Sequence, residues 1–265
     1  AWNVTNDVFA MNVPDIRGML VFLAMDTMMP MEVAEEIMNG ITNFMKKINS
    51  KVLGGHTIYC EWPLIGGEAS GFVEKDKLIR KQGLKEGDKL IITKPTGLQP
   101  VMAAYRILKN TPEILELYSA NELKNSIDYA IELMITSNQN VVKTIHSYND
   151  FSFIHSMTDV TGFGLAGHTR EMLEGTNLSA LIETVPIIKY SKELARDFNY
   201  RLDSCEASET AGGMLLSVDA DNVEEFSNRL SSNNIQNWVV GLIDKKDPGL
   251  VRLSKNIEFE EVSKK

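Results

Sequence analysis

Ser156-Met-Thr-Asp159-Val-Thr-Gly162-Phe-Gly164-Leu-Ala-Gly167, followed at once by His168, is the stretch whose reading decides the fold. A short apolar approach from Phe151 to Met157 reaches one carboxylate, Asp159, and then glycines that lead into a helical run. Strand, tight turn and helix in that order make an α/β unit. Glycine lets the backbone turn sharply and come close to a ligand, and a helix start presents N–H groups without internal partners to an anion. A carboxylate beside such a turn can hold a divalent cation against a phosphate. The same residues also suit an ordinary strand-to-helix connection carrying a solvated aspartate.

Working outward, the chain opens inside a helical motif that contains Asp7, and residues 18–26 read as a strand. A helix follows from about Met31 to Lys47, with Pro30 near its start and Val33, Ile37, Ile41 and Phe44 on one face. Lys51–Cys60 and Leu64–Val73 read as strands interrupted by Gly54-Gly55 and Gly66-Gly67. The charge-dense stretch from Glu74 to Lys89 reads as a solvated connection and marks a domain boundary, giving domains 1–76 and 77–265. Beyond it, strands are expected at 89–93, 152–158, 178–183, 213–218 and 237–243. Helices are expected at 98–108, 122–138, after Gly164, near 190–198 and at 221–231. The fold class is therefore α/β (α+β), with mixed or antiparallel sheets covered by helices.

At 265 residues and 43% hydrophobic, the chain can bury a core in one large or two modest domains. Its formal charge of −9, from 27 Lys and Arg against 36 Asp and Glu, argues against a duplex nucleic-acid surface. A nucleotide polyphosphate is still compatible if divalent cations lie between it and the carboxylates. The longest apolar run, Gly18 to Met25, is too short to span a bilayer, and no secretory segment is visible. Cys60 and Cys205 have no metal-type spacing and make a poor disulfide framework, which points to a reducing, cytoplasmic setting.

Five segments occur in one order: Asn3-Val-Thr-Asn-Asp7-Val-Phe-Ala-Met11, Gly54-Gly55-His56-Thr57, Thr93-Lys94-Pro95 after Gly87-Asp88, Thr158-Asp159-Val-Thr-Gly-Phe-Gly164, and Glu209-Thr210-Ala211-Gly212-Gly213. Together they resemble the selenophosphate synthetases, or selenide, water dikinases, of the aminoimidazole ribonucleotide synthetase-like superfamily. The resemblance runs over nearly the whole chain. It implies the two-domain fold of that superfamily and ATP-dependent synthesis of selenophosphate from selenide and water, with AMP and phosphate as by-products. By the same resemblance Asp7 and Asp159 hold Mg2+ against the ATP phosphates. Asn3 lies near the nucleotide, and Gly54, Gly55, His56 and Thr57 form a phosphate turn shared across a homodimer. Domain 1–76 would thus serve ATP and metal binding and dimerisation. Glu209 and Thr210 are read as structural, closing the second domain.

Departures stand beside these matches. Asn12 replaces a family glycine, Thr96-Gly97-Leu98 replaces Leu-Gly-Thr, and Ala211 replaces the usual serine. The family's nucleophilic cysteine or selenocysteine and its lysine belong to a segment expected upstream, so no catalytic nucleophile is assigned here and the 265-residue chain alone is expected to be inactive. Two other readings remain open: another ATP-dependent enzyme of the superfamily, and a non-catalytic nucleotide-binding paralogue.

Overall fold

Apolar runs of period two and stripes of period 3.6 sort this chain into two sheets and the helices that cover them. The computed structural model describes residues 1–264 except 109, 112 and 114–116. Helix α1 (Trp2–Phe9) precedes β1 (Ile16–Met25), the centre of a three-stranded sheet ordered β2-β1-β3. Strand β2 (Val52–Tyr59) runs parallel to β1 and β3 (Leu64–Gly71) antiparallel. A parallel neighbour needs a long crossover, which α2 (Met31–Lys47) provides. Its buried face is Ala34, Ile41, Phe44 and Met45, with Ile37 and Met38 partly covered. Val33, expected on that stripe, is 40% exposed, because the true stripe starts one residue later.

Gly54–Thr57, read from sequence as a phosphate turn, lies inside β2 and forms no turn. Met19 pairs with Val52 and Leu20 with Gly54, so Leu53 is an extra residue bulged out of the ladder. A Cβ on Gly55 would lie 1.9 Å from the Val21 carbonyl oxygen, so glycine is what lets β2 approach β1 so closely.

The second sheet contains β4 (Lys89–Ile92), β5 (Ile154–Asp159), β6 (Ser179–Ile188), β7 (Met214–Val218), β8 (Trp238–Asp244) and β9 (Val251–Val262). Their order is β5-β7-β4-β8-β6-β9, antiparallel except for the β6–β9 pair. Around it lie α3 (Leu98–Leu108), α4 (Ala120–Ile135), α5 (Gln139–Ile145), α6 (Gly164–Leu173), α7 (Ser191–Asp197) and α8 (Val223–Ser232). Alternation along β4 sends Leu90 and Ile92 to the α6 side and Ile91 to the opposite face. On that opposite face Ile91, Met157 and Leu216 join Phe9, Met19, Val21 and Phe44 in one apolar cluster. The two sheets therefore share a core across residue 76. That shared core holds α1 against β3 and β5.

Two expected boundaries move, and two elements are not among those expected. The helix expected over 122–138 ends at Ile135, and the strand expected over 178–183 continues to Ile188. Helix α5 is only seven residues long and β9 carries charges along its exposed length, so neither announces itself by periodicity. The outward face of the three-stranded sheet carries Leu20, Phe22, Ile58 and Leu64, all exposed. Among the described residues no helix is long and apolar enough to cross a membrane.

Candidate functional site

Four of the five ordered segments meet at one place, and the hub is Glu209–Gly213. Residues Asn3, Asn6 and Asp7 are spaced i, i+3, i+4, which sets them on one face of α1. From that face Asn3 Oδ1 accepts the Ala211 N–H at 2.7 Å. Asn138 Nδ2 donates to Gly212 O at 2.8 Å and to Asn6 Oδ1 at 3.1 Å. Val160 N–H donates to Gly213 O at 2.9 Å, and a Cβ on Gly212 would lie 2.0 Å from Val160 O. Hydrogen bonds and close backbone contact thus tie α1, the start of α5 and the end of β5 to the same five residues.

Lys94 of the Thr-Lys-Pro segment, 4% exposed, is the fourth spoke. Its Nζ donates to Leu133 O, Thr136 O and Ala211 O, each at 2.8 Å, which uses all three ammonium protons. Two of those carbonyls belong to the C-terminal end of α4, so Lys94 caps the helix and accounts for its early stop. Burial pushes the Lys94 ammonium down to about 7, while the nearby charge of Asp159 pulls it up. Glu209, also buried, accepts the N–H groups of Gly97 at 2.7 Å and Leu98 at 2.9 Å at the start of α3. Burial pushes its carboxyl up to about 8 against those two donors. The structural reading of Glu209 agrees with these contacts.

Asp7 and Asp159 face one another electrostatically across this hub. Burial raises the Asp159 carboxyl to about 6, and the charge of Asp7 adds to the shift. Asp7 is raised by burial as well, with His168 pulling it back. Asp159 feels the Asp7 charge, and hard oxygen donors of this kind suit a magnesium ion, which commonly takes one or two carboxylates and completes its octahedron with phosphate and water. Among the described residues no three His, Cys, Asp or Glu side chains converge as a metal cage.

The start of α6 differs from expectation. Gly164 N–H donates to Thr161 O and Ala166 N–H to Cys205 O, so two of the groups expected to meet an anion are satisfied within the fold. An open groove of about 500 Å³ borders the same loop, with Phe163, Arg170 and Glu171 in its lining. Gly54, Gly55, His56 and Thr57 stand apart from the hub within one chain. They lie on β2, at the sheet edge opposite β3, the strand that contacts α1. Cys205 is buried, and its thiol is pushed up to about 12 by burial and then by Asp203 and Glu206; Cys60 follows β2 at the far edge.

The sequence reading does not single out His168, Glu171 or Lys81. His168 Nδ1 lies 2.9 Å from Glu171 Oε2, and Lys81 Nζ donates to Glu171 Oε1 at 3.2 Å. The i, i+3 spacing of His168 and Glu171 on α6 is the signal that could have found them. The departure at Asn12 also gains a cause, while nothing in the structure explains Ala211. Asn12 holds φ 63°, a region that asparagine tolerates best after glycine.

Comparison with known proteins places this geometry. Residues 1–73 match the N-terminal domain of AIR synthase related proteins, and residues 85–252 match the C-terminal domain. Selenide, water dikinase of Methanococcus maripaludis is 36% identical over 265 residues, covering 99% of this chain and 79% of that one. The protein of the same name from Methanocaldococcus jannaschii is 34% identical, covering 99% and 76%. The crystal structure of hydrogenase maturation protein HypE in complex with ATP superposes with a TM-score of 0.76 over 96% of this chain and 74% of that one. At 14% identity that likeness speaks for the fold alone. The architecture is that of the AIR synthase related proteins. Within that class the chain belongs to the selenide, water dikinases, a phosphotransferase family.

Proposed function

We propose that this protein makes selenophosphate from selenide, water and ATP, releasing AMP and phosphate, and that the Asp7–Asp159 pair is its metal anchor. The meeting at the hub of α1, which carries Asp7, and the end of β5, which carries Asp159, carries the reading, and family membership supplies the substrates. Magnesium held there would neutralise phosphate charge as it develops during phosphoryl transfer. The work of this chain's own residues is positioning. Asp7 and Asp159 bind the metal-bound triphosphate from α1 and β5. Asn3, Asn138 and Lys94 hold the backbone beneath them, so the carboxylates keep their spacing. The two parts of the chain divide this work as domains 1–76 and 77–265, the first also making the dimer. Phosphorus NMR on the protein as the cell makes it, with selenide, magnesium and ATP, is the test. A growing selenophosphate signal is expected; ATP turnover indifferent to selenide would assign another phosphotransferase of the class.

The homodimer belongs to the same proposal. Leu20 at 48%, Leu53 at 58% and Leu64 at 58% exposed stand on a three-stranded sheet with two open edges. Apolar patches and unpaired edges of this kind mark association surfaces. Pairing two such sheets would carry Gly54, Gly55, His56 and Thr57 of one subunit towards the Asp7–Asp159 pair of the other. Light scattering at micromolar concentration is expected to give twice the 29.6 kDa chain mass. A single-chain mass would leave Gly54–Thr57 without a site.

A further inference from the structure

His168 is 6% exposed, yet its ring is engaged on both sides rather than packed as a core residue. Nδ1 faces Glu171 Oε2 at 2.9 Å, and Nε2 lies 3.2 Å from Thr161 Oγ1. Glu171 is in turn held by Lys81. The Nδ1 contact stands at ion-pair distance without hydrogen-bond geometry, while Nε2 and the Thr161 hydroxyl can pair in either tautomer, the hydroxyl donating or accepting. The ring of Phe163 rests against the imidazole with centroids 5.5 Å apart. Four side chains, Lys81, Glu171, His168 and Thr161, therefore form one line that ends at the loop following Asp159.

Thr161 is the corner of that loop. Its carbonyl accepts the N–H groups of Gly164 at 3.1 Å and Glu209 at 2.9 Å, joining α6 to the hub. Backbone bonds from Val160 to Gly213 hold one side of the loop, and the Thr161 hydroxyl is where α6 holds the other. We propose that His168 is a positioning residue which, through Thr161, sets the Asp159–Gly164 loop for metal–nucleotide binding. The proposal rests on the reading of Asp159 as a metal anchor.

The test is titration calorimetry of the whole protein with magnesium and the non-hydrolysable analogue AMPPCP, alongside melting curves. Thr161→Val and His168→Asn each remove the Thr161–His168 bond and are expected to weaken binding about tenfold, the factor that ~1.4 kcal/mol sets. Thr161→Ser and His168→Gln keep a donor and an acceptor in place and are expected to restore binding to within about threefold of wild type. The double variant Thr161→Val/His168→Asn should bind no more weakly than either single one, because both break the same link. Thr161 sits on a half-buried loop, so its two variants carry the test even if His168→Asn folds poorly. Wild-type binding by Thr161→Val, or full additivity in the double variant, overturns the inference while the site reading stands, provided Asp159→Asn loses affinity. Wild-type binding by Asp159→Asn as well overturns both.

Discussion

Asp159→Asn is expected to weaken binding of magnesium–ATP by about a hundredfold, ~3 kcal/mol, while the melting temperature holds or rises. The affinity loss follows from the small donor set: with Asp7 and Asp159 as the protein's carboxylate ligands, removing one leaves a single anionic contact to the cation. The stability result follows from the electrostatics of the same pair. Asp159 is 6% exposed and faces the charge of Asp7, so a neutral amide of equal size removes a repulsion and leaves the packing unchanged. Ligand sites that gain stability on losing function are a common outcome of this kind of strain. Isothermal titration with paired melting curves measures both quantities. A dissociation constant within about twofold of wild type would return Asp159 to the role of a turn residue.

Lys94→Met is expected to have the opposite profile, with a large stability loss. Methionine matches the length of the lysine stem but donates nothing, so the carbonyls of Leu133, Thr136 and Ala211 would lose a buried donor together. At roughly 1 kcal/mol or more for each unsatisfied group, the loss is about 3 kcal/mol. For a chain of this size that lowers the melting temperature by roughly 6–12 °C. Loss of protection in hydrogen exchange is expected first at the C-terminal turn of α4, where two of the three carbonyls lie. A melting temperature within about 2 °C of wild type, a change below about 1 kcal/mol, would mean that water replaces the ammonium at little cost.

Elements and motifs with a local cause are legible in the sequence. Helix α2 shows its 3.6-residue stripe there, although the stripe begins at Ala34 rather than at Val33. Strand β5, the glycines after Asp159 and helix α6 stand in the expected order because strand, turn and helix each have a local chemical cause. Strand β9 is hidden, since Arg252, Lys255, Glu258, Glu260 and Glu261 break its apolar pattern at an exposed edge. Helix α5 is hidden by its length, and its neighbour Asn138 gains meaning only where it meets Asn6 and Gly212.

By itself the sequence determined the α/β class, the ordered motif series and the residue types suited to a cation and a polyphosphate, because propensity and donor chemistry reside in the residues themselves. Only the tertiary structure decided which of them meet. It brought Asp7 towards Asp159 across most of the chain, and made Lys94 a helix cap and Glu209 an anchor for the start of α3. It also moved Gly54–Thr57 from a turn into an edge strand. Each of those outcomes depends on long-range contacts through a core shared by both sheets, and such contacts leave no periodic mark on the chain.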